Sequence, residues 1–283
     1  MIKTWSTKCR KEDSRLVPCV LCAGMEFRAH LDCEGFGYKK CTHCGLVQMN
    51  PQPVSNQVHE RYGKDYLDYE LANEKPFLEL AVKSLNDAGL ERIKKELVQN
   101  GLGASVLDIG CAAGALLKHL RSEGWAVQGV EIGHEMAEFG QRERNLEISR
   151  KPLEENNFAD GSFSLVTASH LIEHLNNPAS FVKEVFRILK NGGYFIVITP
   201  NIESFQGRIF GSRWRSAIFD HLYLFSRRTL ITLLKKEQFT IEKIVTWGGL
   251  AKGIAPPFIK TIFDKAAKLL GSGDVMLITA KKR

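Results

Sequence analysis

The stretch of sequence that decides the fold is Val106-Leu107-Asp108-Ile109-Gly110-Cys111-Ala112-Ala113-Gly114. Residues 105–109 are a mainly apolar run with one acidic residue near its end, which is typical of a buried strand. Its second half is a turn of small residues, and residues 115–120 then have helical periodicity. Glycines let a backbone approach a ligand closely, and the free N–H groups at a helix start attract polar and anionic groups. The stretch therefore predicts a nucleotide-like ligand at the carboxyl end of a strand.

The spacing of the glycines distinguishes this turn from other nucleotide-binding turns. A dinucleotide-binding fingerprint needs glycine at its first, third and sixth positions, which here are Gly110, Ala112 and Ala115. A phosphate-binding P-loop would need Gly-Lys-Ser or Gly-Lys-Thr after the turn, and neither sequence follows. The turn therefore fits neither NAD nor ATP.

Strands and helices are predicted to alternate along the rest of the chain. The apolar runs that predict further strands are residues 126–131, 146–149, 162–168, 194–199, 239–245 and 274–280. The segments with helical periodicity after residue 120 are 134–144, 178–190 and 227–236. This alternation favours an α/β fold with a mainly parallel sheet and helices on both of its faces.

Cysteines are concentrated near the amino terminus, where six of the seven lie within the first 44 residues. Four of them form two Cys-x2-Cys pairs separated by 18 residues: Cys19, Cys22, Cys41 and Cys44. In this spacing each pair can supply two thiolates to one tetrahedral zinc ion. Two disulfides or free thiols are the alternative, and a cytoplasmic location disfavours disulfides. We predict a small zinc ribbon whose metal is structural, since four thiolates leave no open position for catalysis.

Taken with later motifs, the opening stretch resembles the first motif of the class I S-adenosylmethionine (SAM)-dependent methyltransferases, an acidic residue followed by Gly-x-Gly-x-Gly. Those positions are Asp108, Gly110, Ala112 and Gly114. Alanine replaces the middle glycine, so we expect this turn not to require a positive φ at Ala112. The later similarities are Glu131 at the end of the second strand, residues 160–166 with the Leu-Ile-Glu-His run of residues 171–174, residues 189–194 and the His-Leu-x-x-Phe-Ser element of residues 221–226.

This resemblance covers about residues 100–283 and implies a Rossmann-like fold with a SAM site. The residues that it implies for SAM binding are Asp108, Gly110, Cys111, Ala112, Gly114, Glu131, Ile132, Leu153 and His170. Asp108 and the glycine turn would contact the methionine portion, Glu131 the two ribose hydroxyls and Leu153 the adenine. His170 would border the sulfonium. Packing or turn formation is the alternative role for each of these residues.

A methyl transfer to oxygen also needs a base near the acceptor, and histidine is the natural candidate because its ordinary pKa lies near neutrality. We predict His221 as this base, with His174 as a second catalytic candidate. A structural role is the alternative for His174. If residues 170–174 were helical, His170 and His174 would share one face and could bind a metal.

These inferences divide the chain into a zinc ribbon at residues 1–55, a helical lead-in or lid at 56–100 and a methyltransferase domain at 101–283. The lead-in carries Tyr62 and two further tyrosines, Tyr66 and Tyr69, that are candidates for a lid over the SAM pocket. The chain has no apolar run of signal-peptide or membrane-spanning length. We therefore expect a cytoplasmic protein without a membrane span.

The predicted acceptor is a small molecule or a glycan, such as a nucleotide-sugar. Residues 201–283 carry 15 Lys and Arg against 6 Asp and Glu, which favours either an acidic substrate or an ordinary solvated surface. One alternative is an RNA methyltransferase that holds RNA with the ribbon and this basic third. The ribbon, however, has few aromatic residues for base stacking. A second alternative is a non-catalytic module that only binds SAM.

Overall fold

The structure, a computed structural model, describes residues 14–54, 63–249, 264, 265 and 267–283. Tyr62 of the predicted lid lies outside these residues. The amino-terminal segment forms short antiparallel strands: β1 (Ser14–Arg15), β2 (Phe27–Cys33), β3 (Phe36–Cys41), β4 (Val47–Met49) and β5 (Gln52–Pro53). Strand β3 lies between β2 and β4 in one sheet, and β1 pairs with β5.

Three helices follow the ribbon and confirm the helical pattern expected for much of residues 56–100: α1 (Lys64–Ala72), α2 (Glu74–Ala88) and α3 (Leu90–Gln99). Gly89 separates the last two helices with a left-handed φ of 91°, a conformation that costs glycine little. Ile93 and Leu97 of α3 are fully buried against the apolar side chains of the main sheet. These helices therefore cover one side of the domain that follows.

The main domain alternates strands and helices as predicted. Its elements are β6 (Ser105–Ile109), α4 (Ala115–Ser122), β7 (Ala126–Val130), α5 (His134–Arg144), β8 (Ile148–Ser149), β9 (Phe163–Ser169), α6 (Pro178–Ile188), β10 (Leu189–Pro200), α7 (Phe205–Phe210), β11 (Tyr223–Leu224), α8 (Arg227–Lys236), β12 (Thr240–Trp247) and β13 (Val275–Lys281). Strands β6 to β10 pair in parallel, and β13 runs antiparallel to both of its neighbours. The predicted Rossmann-like α/β fold is confirmed.

The strand order of the main sheet explains where a ligand can bind. The order is β12-β13-β10-β9-β6-β7-β8, so the chain leaves β6 toward β7 on one side and returns to β9 on the other. In an open α/β sheet, this reversal leaves a crevice at the carboxyl ends of the strands. The turn of residues 110–114 follows β6 and lies at this crevice. None of the helices within the described ranges has the length and apolar character to cross a membrane.

The ribbon and the main domain share a sheet and a core. Strand β11 of the main domain pairs with β4 and becomes the fourth strand of the ribbon sheet. The Tyr38 hydroxyl donates to the backbone oxygens of Ile218 (2.7 Å) and His221 (2.9 Å). Apolar residues of the ribbon, such as Leu46 and Met49, belong to the same buried cluster as the side chains of the main sheet. The ribbon thus lies directly against the segment that carries His221.

Candidate SAM and acceptor site

A cavity of about 1300 Å³ lies at the carboxyl ends of β6, β7 and β9. The residues after these strands form one wall, helices α1 and α2 form a second, and the segment before β11 contributes His221 to a third. Pockets that bind one drug-sized ligand have volumes of roughly 300–1000 Å³. This cavity is therefore large enough for two ligands, such as a cofactor and an acceptor.

The turn after β6 has an unusual backbone conformation, and our expectation about Ala112 was wrong. Its φ is 46°, between φ values of 76° at Gly110 and 78° at Gly114. A left-handed conformation costs a non-glycine residue about 1–2 kcal/mol. Ala112 is held there because its amide N–H donates to Glu131 Oε2 at 3.0 Å. The turn thus needs a positive φ at its middle position even though no glycine stands there.

Glu131 ties the end of β7 to this turn. Its Oε2 accepts from Ala112, and its Oε1 accepts from the amide of Gly133 at 2.7 Å. Burial raises the pKa of Glu131, and these amides only partly offset that effect. Each carboxylate oxygen can accept a second hydrogen bond, so the two oxygens can still bind the ribose hydroxyls. Glu131 therefore has a structural role beside the predicted ligand contact.

Asp108 lies at the base of the cavity and is 6% exposed. The Thr167 hydroxyl donates to its Oδ1 at 2.6 Å. Burial raises the pKa of Asp108 to about 7, with Glu131 adding to the effect and Thr167 opposing it. Sequence reasoning missed Thr167, although Asp108 and Thr167 are directly paired positions of the adjacent strands β6 and β9. A cationic ligand at this wall would favour the ionised form of Asp108.

Most of the other predicted SAM-binding residues also line the cavity, namely Gly110, Cys111, Ala112, Ile132, Leu153 and His170. The Cys111 side chain points away into a small apolar cluster with Leu117 and Ile148. Gly114 instead begins α4 behind the wall, where an added Cβ would clash with Leu146. Its φ and its tight packing explain why glycine is needed at that position.

Aromatic side chains of α1 and α2 border the same cavity. The rings of Tyr66 and Tyr69 are 6.4 Å apart, and those of Tyr69 and Phe77 are 6.0 Å apart. Buried Arg144 of α5 forms an ion pair with Glu74 of α2 and so joins this wall to the main domain. The described part of the predicted lid therefore lies next to the residues predicted to bind SAM.

His174 and His221 both line the cavity, and their rings are in edge-to-face contact with centroids 4.7 Å apart. Nδ1 of His174 lies 2.9 Å from the backbone oxygen of Asp220, and Nδ1 of His221 lies 2.8 Å from the backbone oxygen of Ser216. A carbonyl only accepts, so each Nδ1 carries a proton. Burial lowers the pKa of His221 to about 4, so this ring is neutral at pH 7.

The segment before His174 is a turn, so the helical arrangement that would place His170 and His174 on one face is wrong. His170 has a φ of 52° and is about half exposed, and its Nδ1 lies 3.3 Å from Glu173 Oε1. Sequence reasoning assigned no role to Glu173, which is 1% exposed. Burial raises the pKa of Glu173, but the three neighbouring histidines outweigh burial and lower it to about 2.

The four predicted metal-binding cysteines come together in the ribbon. The Sγ atoms of Cys19 and Cys44 are 3.4 Å apart, those of Cys22 and Cys41 are 3.5 Å apart, and all four lie within 4.8 Å of one another. Sulfur atoms around a tetrahedral zinc with bonds of about 2.3 Å would be about 3.8 Å apart. Burial opposes ionisation of Cys41, but the amides of Cys44 and His43 lower its pKa to about 7. The geometry and the donor set fit a structural zinc ion.

Comparison with known proteins places this fold and cavity in a family. The family model described as "Methyltransferase domain" matches residues 81–244, which is more than half of the chain. The chain therefore belongs to this family, and its fold is that of a class I SAM-dependent methyltransferase. The match includes the two carboxylates that line the cavity, Asp108 and Glu131, as well as His174 and His221.

Two sets of similar proteins agree with this class. The ubiquinone biosynthesis O-methyltransferases of Pseudomonas aeruginosa (strain LESB58) and Acinetobacter baumannii (strain ACICU) are 30% and 32% identical over 126 and 121 residues, or 42% and 40% of this chain. These alignments cover 54% and 51% of the relatives, so the chain spans about half the length of the curated relatives that it matches.

Solved structures of SAM-dependent methyltransferases from Thermotoga maritima and Archaeoglobus fulgidus have the same fold, each with a TM-score of 0.54. They are 23% and 21% identical to this chain, covering 80% and 76% of it and 99% of each solved chain. At this level of identity they show the fold alone.

Proposed function

We propose that this protein transfers the methyl group of SAM to an oxygen atom of a small-molecule or glycan-like acceptor. The observation that carries the proposal is that one cavity joins the carboxylates Asp108 and Glu131 to the histidines His174 and His221. The first pair suits the amino-acid, sulfonium and ribose groups of SAM. The second suits a hydroxyl that must lose a proton. The names of the O-methyltransferase relatives support transfer to oxygen.

The reaction needs the acceptor oxygen to attack the methyl carbon while the bond from that carbon to sulfur breaks. S-adenosylhomocysteine leaves, and the hydroxyl proton passes to a base. We assign this role to Nε2 of His221, because Nδ1 is already protonated and bonded to Ser216. His174, whose ring contacts that of His221, would bind the acceptor beside it. Tyr66 and Tyr69 would cover the reacting groups and exclude water.

Arg215 provides a reason to expect an acidic acceptor, such as a nucleotide-sugar. It lines the cavity, its side chain is 62% exposed, and its Nε donates to Asp274. Asp274 is fully buried and also accepts from Trp214 and Ser204, so it holds Arg215 in a fixed direction. The remaining guanidinium N–H groups can bind a phosphate or carboxylate of the acceptor.

For the ribbon we propose one structural zinc ion held by Cys19, Cys22, Cys41 and Cys44. The ion would supply stability and no step of the reaction, since the four thiolates fill its coordination sphere. Its effect on the active site would pass through the packing of β4 on β11 and through the Tyr38 hydroxyl. A cytoplasmic location remains a prediction from the sequence.

A transfer assay with methyl-labelled SAM tests the proposed acceptor class. The protein is incubated with a set of nucleotide-sugars, phenols and sugars and, in parallel, with bulk RNA. We expect label on at least one hydroxyl-bearing small molecule and none on RNA. Label on RNA alone would instead support the RNA methyltransferase. SAM binding without transfer to any substrate would support the non-catalytic module.

The substitution Glu131→Ala is expected to weaken SAM binding at least tenfold. A hydrogen bond to a charged group contributes about 1.5–3 kcal/mol, and the substitution also removes the partner of Ala112 and Gly133. Calorimetry measures the affinity, and thermal unfolding is expected to show a small decrease in Tm. Glu138→Ala is the control, because Glu138 forms only exposed ion pairs on α5. An affinity within twofold of wild type would place the ribose contact elsewhere.

A further inference from the structure

The group formed by Glu173, His174 and His221 has the composition of a metal site. One potential ligand atom from each residue lies within 4.8 Å of the others. Glu173 and His174 come from the turn after β9, and His221 comes from the segment before β11. These two segments are fixed to each other, because the Glu173 backbone oxygen accepts from the amides of Leu222 (2.8 Å) and Tyr223 (3.1 Å). The three side chains are therefore brought together by the fold itself.

The orientation of both histidines is the one that metal-binding histidines adopt. In such sites one ring nitrogen binds the metal, and the other donates its N–H to a carbonyl or carboxylate, which fixes the tautomer and the ring direction. Here Nδ1 of His174 donates to the backbone oxygen of Asp220, and Nδ1 of His221 donates to the backbone oxygen of Ser216. Nε2, the atom farther from these backbone contacts, is therefore the nitrogen with which each ring would bind a metal.

The carboxylate of Glu173 provides a second, independent observation. Oε2 accepts from the Thr199 hydroxyl at 2.9 Å, whereas buried Oε1 has no hydrogen-bond partner among the described residues. His170 Nδ1 lies 3.3 Å from Oε1, within ion-pair distance, and the His170 ring is about half exposed. Thr199 thus fixes one carboxylate oxygen, and a cation bound by His174 and His221 would compete with His170 for the other.

We propose that Glu173, His174 and His221 bind one divalent cation at the acceptor end of the cavity. One carboxylate and two imidazoles suit a cation such as Mn²⁺, Co²⁺ or Zn²⁺. The site deepens the proposed function and rests on it. A bound cation would coordinate the acceptor hydroxyl and lower its pKa, and the proton would then leave to solvent. His221 would act as the base only in the cation-free enzyme.

Binding of Mn²⁺ tests this site directly. It is measured as the loss of the free-ion signal in electron paramagnetic resonance. The ribbon cysteines do not compete for this ion, because thiolates are poor ligands for Mn²⁺. Saturating S-adenosylhomocysteine covers the carboxylates of the SAM wall. We expect one Mn²⁺ per chain in the wild type. We also expect an affinity at least tenfold lower in Glu173→Gln and in His221→Ala, with no change in His119→Ala, whose histidine lies on α4.

Calorimetric titration of each variant with SAM separates the outcomes. SAM binding in Glu173→Gln and His221→Ala shows that both variants are folded. Wild-type protein that binds SAM but no Mn²⁺ would overturn the cation site and leave the proposed function intact. Equal Mn²⁺ affinity in all four proteins would also overturn it. Absence of SAM binding by the wild type would overturn the proposed function itself.

Discussion

Replacing Cys41 with serine is expected to remove zinc from the protein and to lower its stability by several kcal/mol. Zinc binding to four thiolates contributes about 10–16 kcal/mol in small zinc domains, and this free energy is coupled to folding. The ribbon has little apolar core of its own, and its buried side chains form one cluster with the main domain. Loss of the metal therefore destabilises the shared cluster as well. Elemental analysis and thermal unfolding measure the two effects.

Cys33→Ser is the matched control for this substitution. Cys33 lies in β2 of the same ribbon but outside the group of four cysteines, and its Sγ lies 3.9 Å from the Ser212 backbone oxygen. We expect this variant to keep about one zinc per chain and a Tm close to that of the wild type. Cys41→Ser protein with full zinc content and an unchanged Tm would contradict the assignment of the four cysteines.

His221→Ala is expected to lower methyl transfer at least 100-fold and to change SAM affinity by less than about threefold. Loss of a positioned acid or base typically costs 100-fold to 10,000-fold in rate. Loss of a ligand to an activating cation would have a similar effect. His221 comes from the segment before β11 and lies on a different wall of the cavity from Asp108 and Glu131, so the SAM contacts should persist. The measurements are turnover with the acceptor found in the labelling assay and SAM binding by calorimetry.

His119→Ala, at a position of α4 that is not among the residues lining the cavity, should retain wild-type turnover and serves as the control. Turnover in His221→Ala within threefold of the wild type would remove His221 from the reaction. A large decrease in SAM affinity would mean that His221 supports the cofactor wall instead of the acceptor. The pH dependence of wild-type turnover adds a second readout. Because burial lowers the pKa of His221 to about 4, its neutral form should be fully populated above pH 6.

Local sequence signals were sufficient to predict the main fold. Strand β6 and helices α5 and α8 have the predicted bounds, because each is an apolar or amphipathic run that ends at a turn or a cap. Ser226 illustrates this: its side chain accepts from Thr229 at the start of α8, so a local hydrogen bond defines the helix start. The position of the glycine turn between a strand and a helix could be predicted for the same reason, since these three elements are adjacent in sequence.

Contacts between distant segments could not be predicted in this way. The pairing of β4 with β11 joins residues that are about 175 positions apart, and no local periodicity reports it. The same holds for Tyr38 and His221, for Arg144 and Glu74, and for the role of Asp274 in holding Arg215. The positive φ of Ala112 was missed because it depends on Glu131, a residue of the next strand. Side-chain hydrogen bonds can therefore override local backbone preference.

The most direct test of the SAM site is a calorimetric titration of the wild-type protein with SAM at pH 6 and at pH 8. In the free protein, burial raises the pKa of Asp108 to about 7. The positive sulfonium of SAM favours ionised Asp108, so protonated Asp108 must lose its proton on binding. We predict one site per chain and an affinity about tenfold lower at pH 6 than at pH 8, with this difference abolished in Asp108→Asn. No binding at near-millimolar SAM, or a pH dependence that is unchanged in Asp108→Asn, would contradict the account.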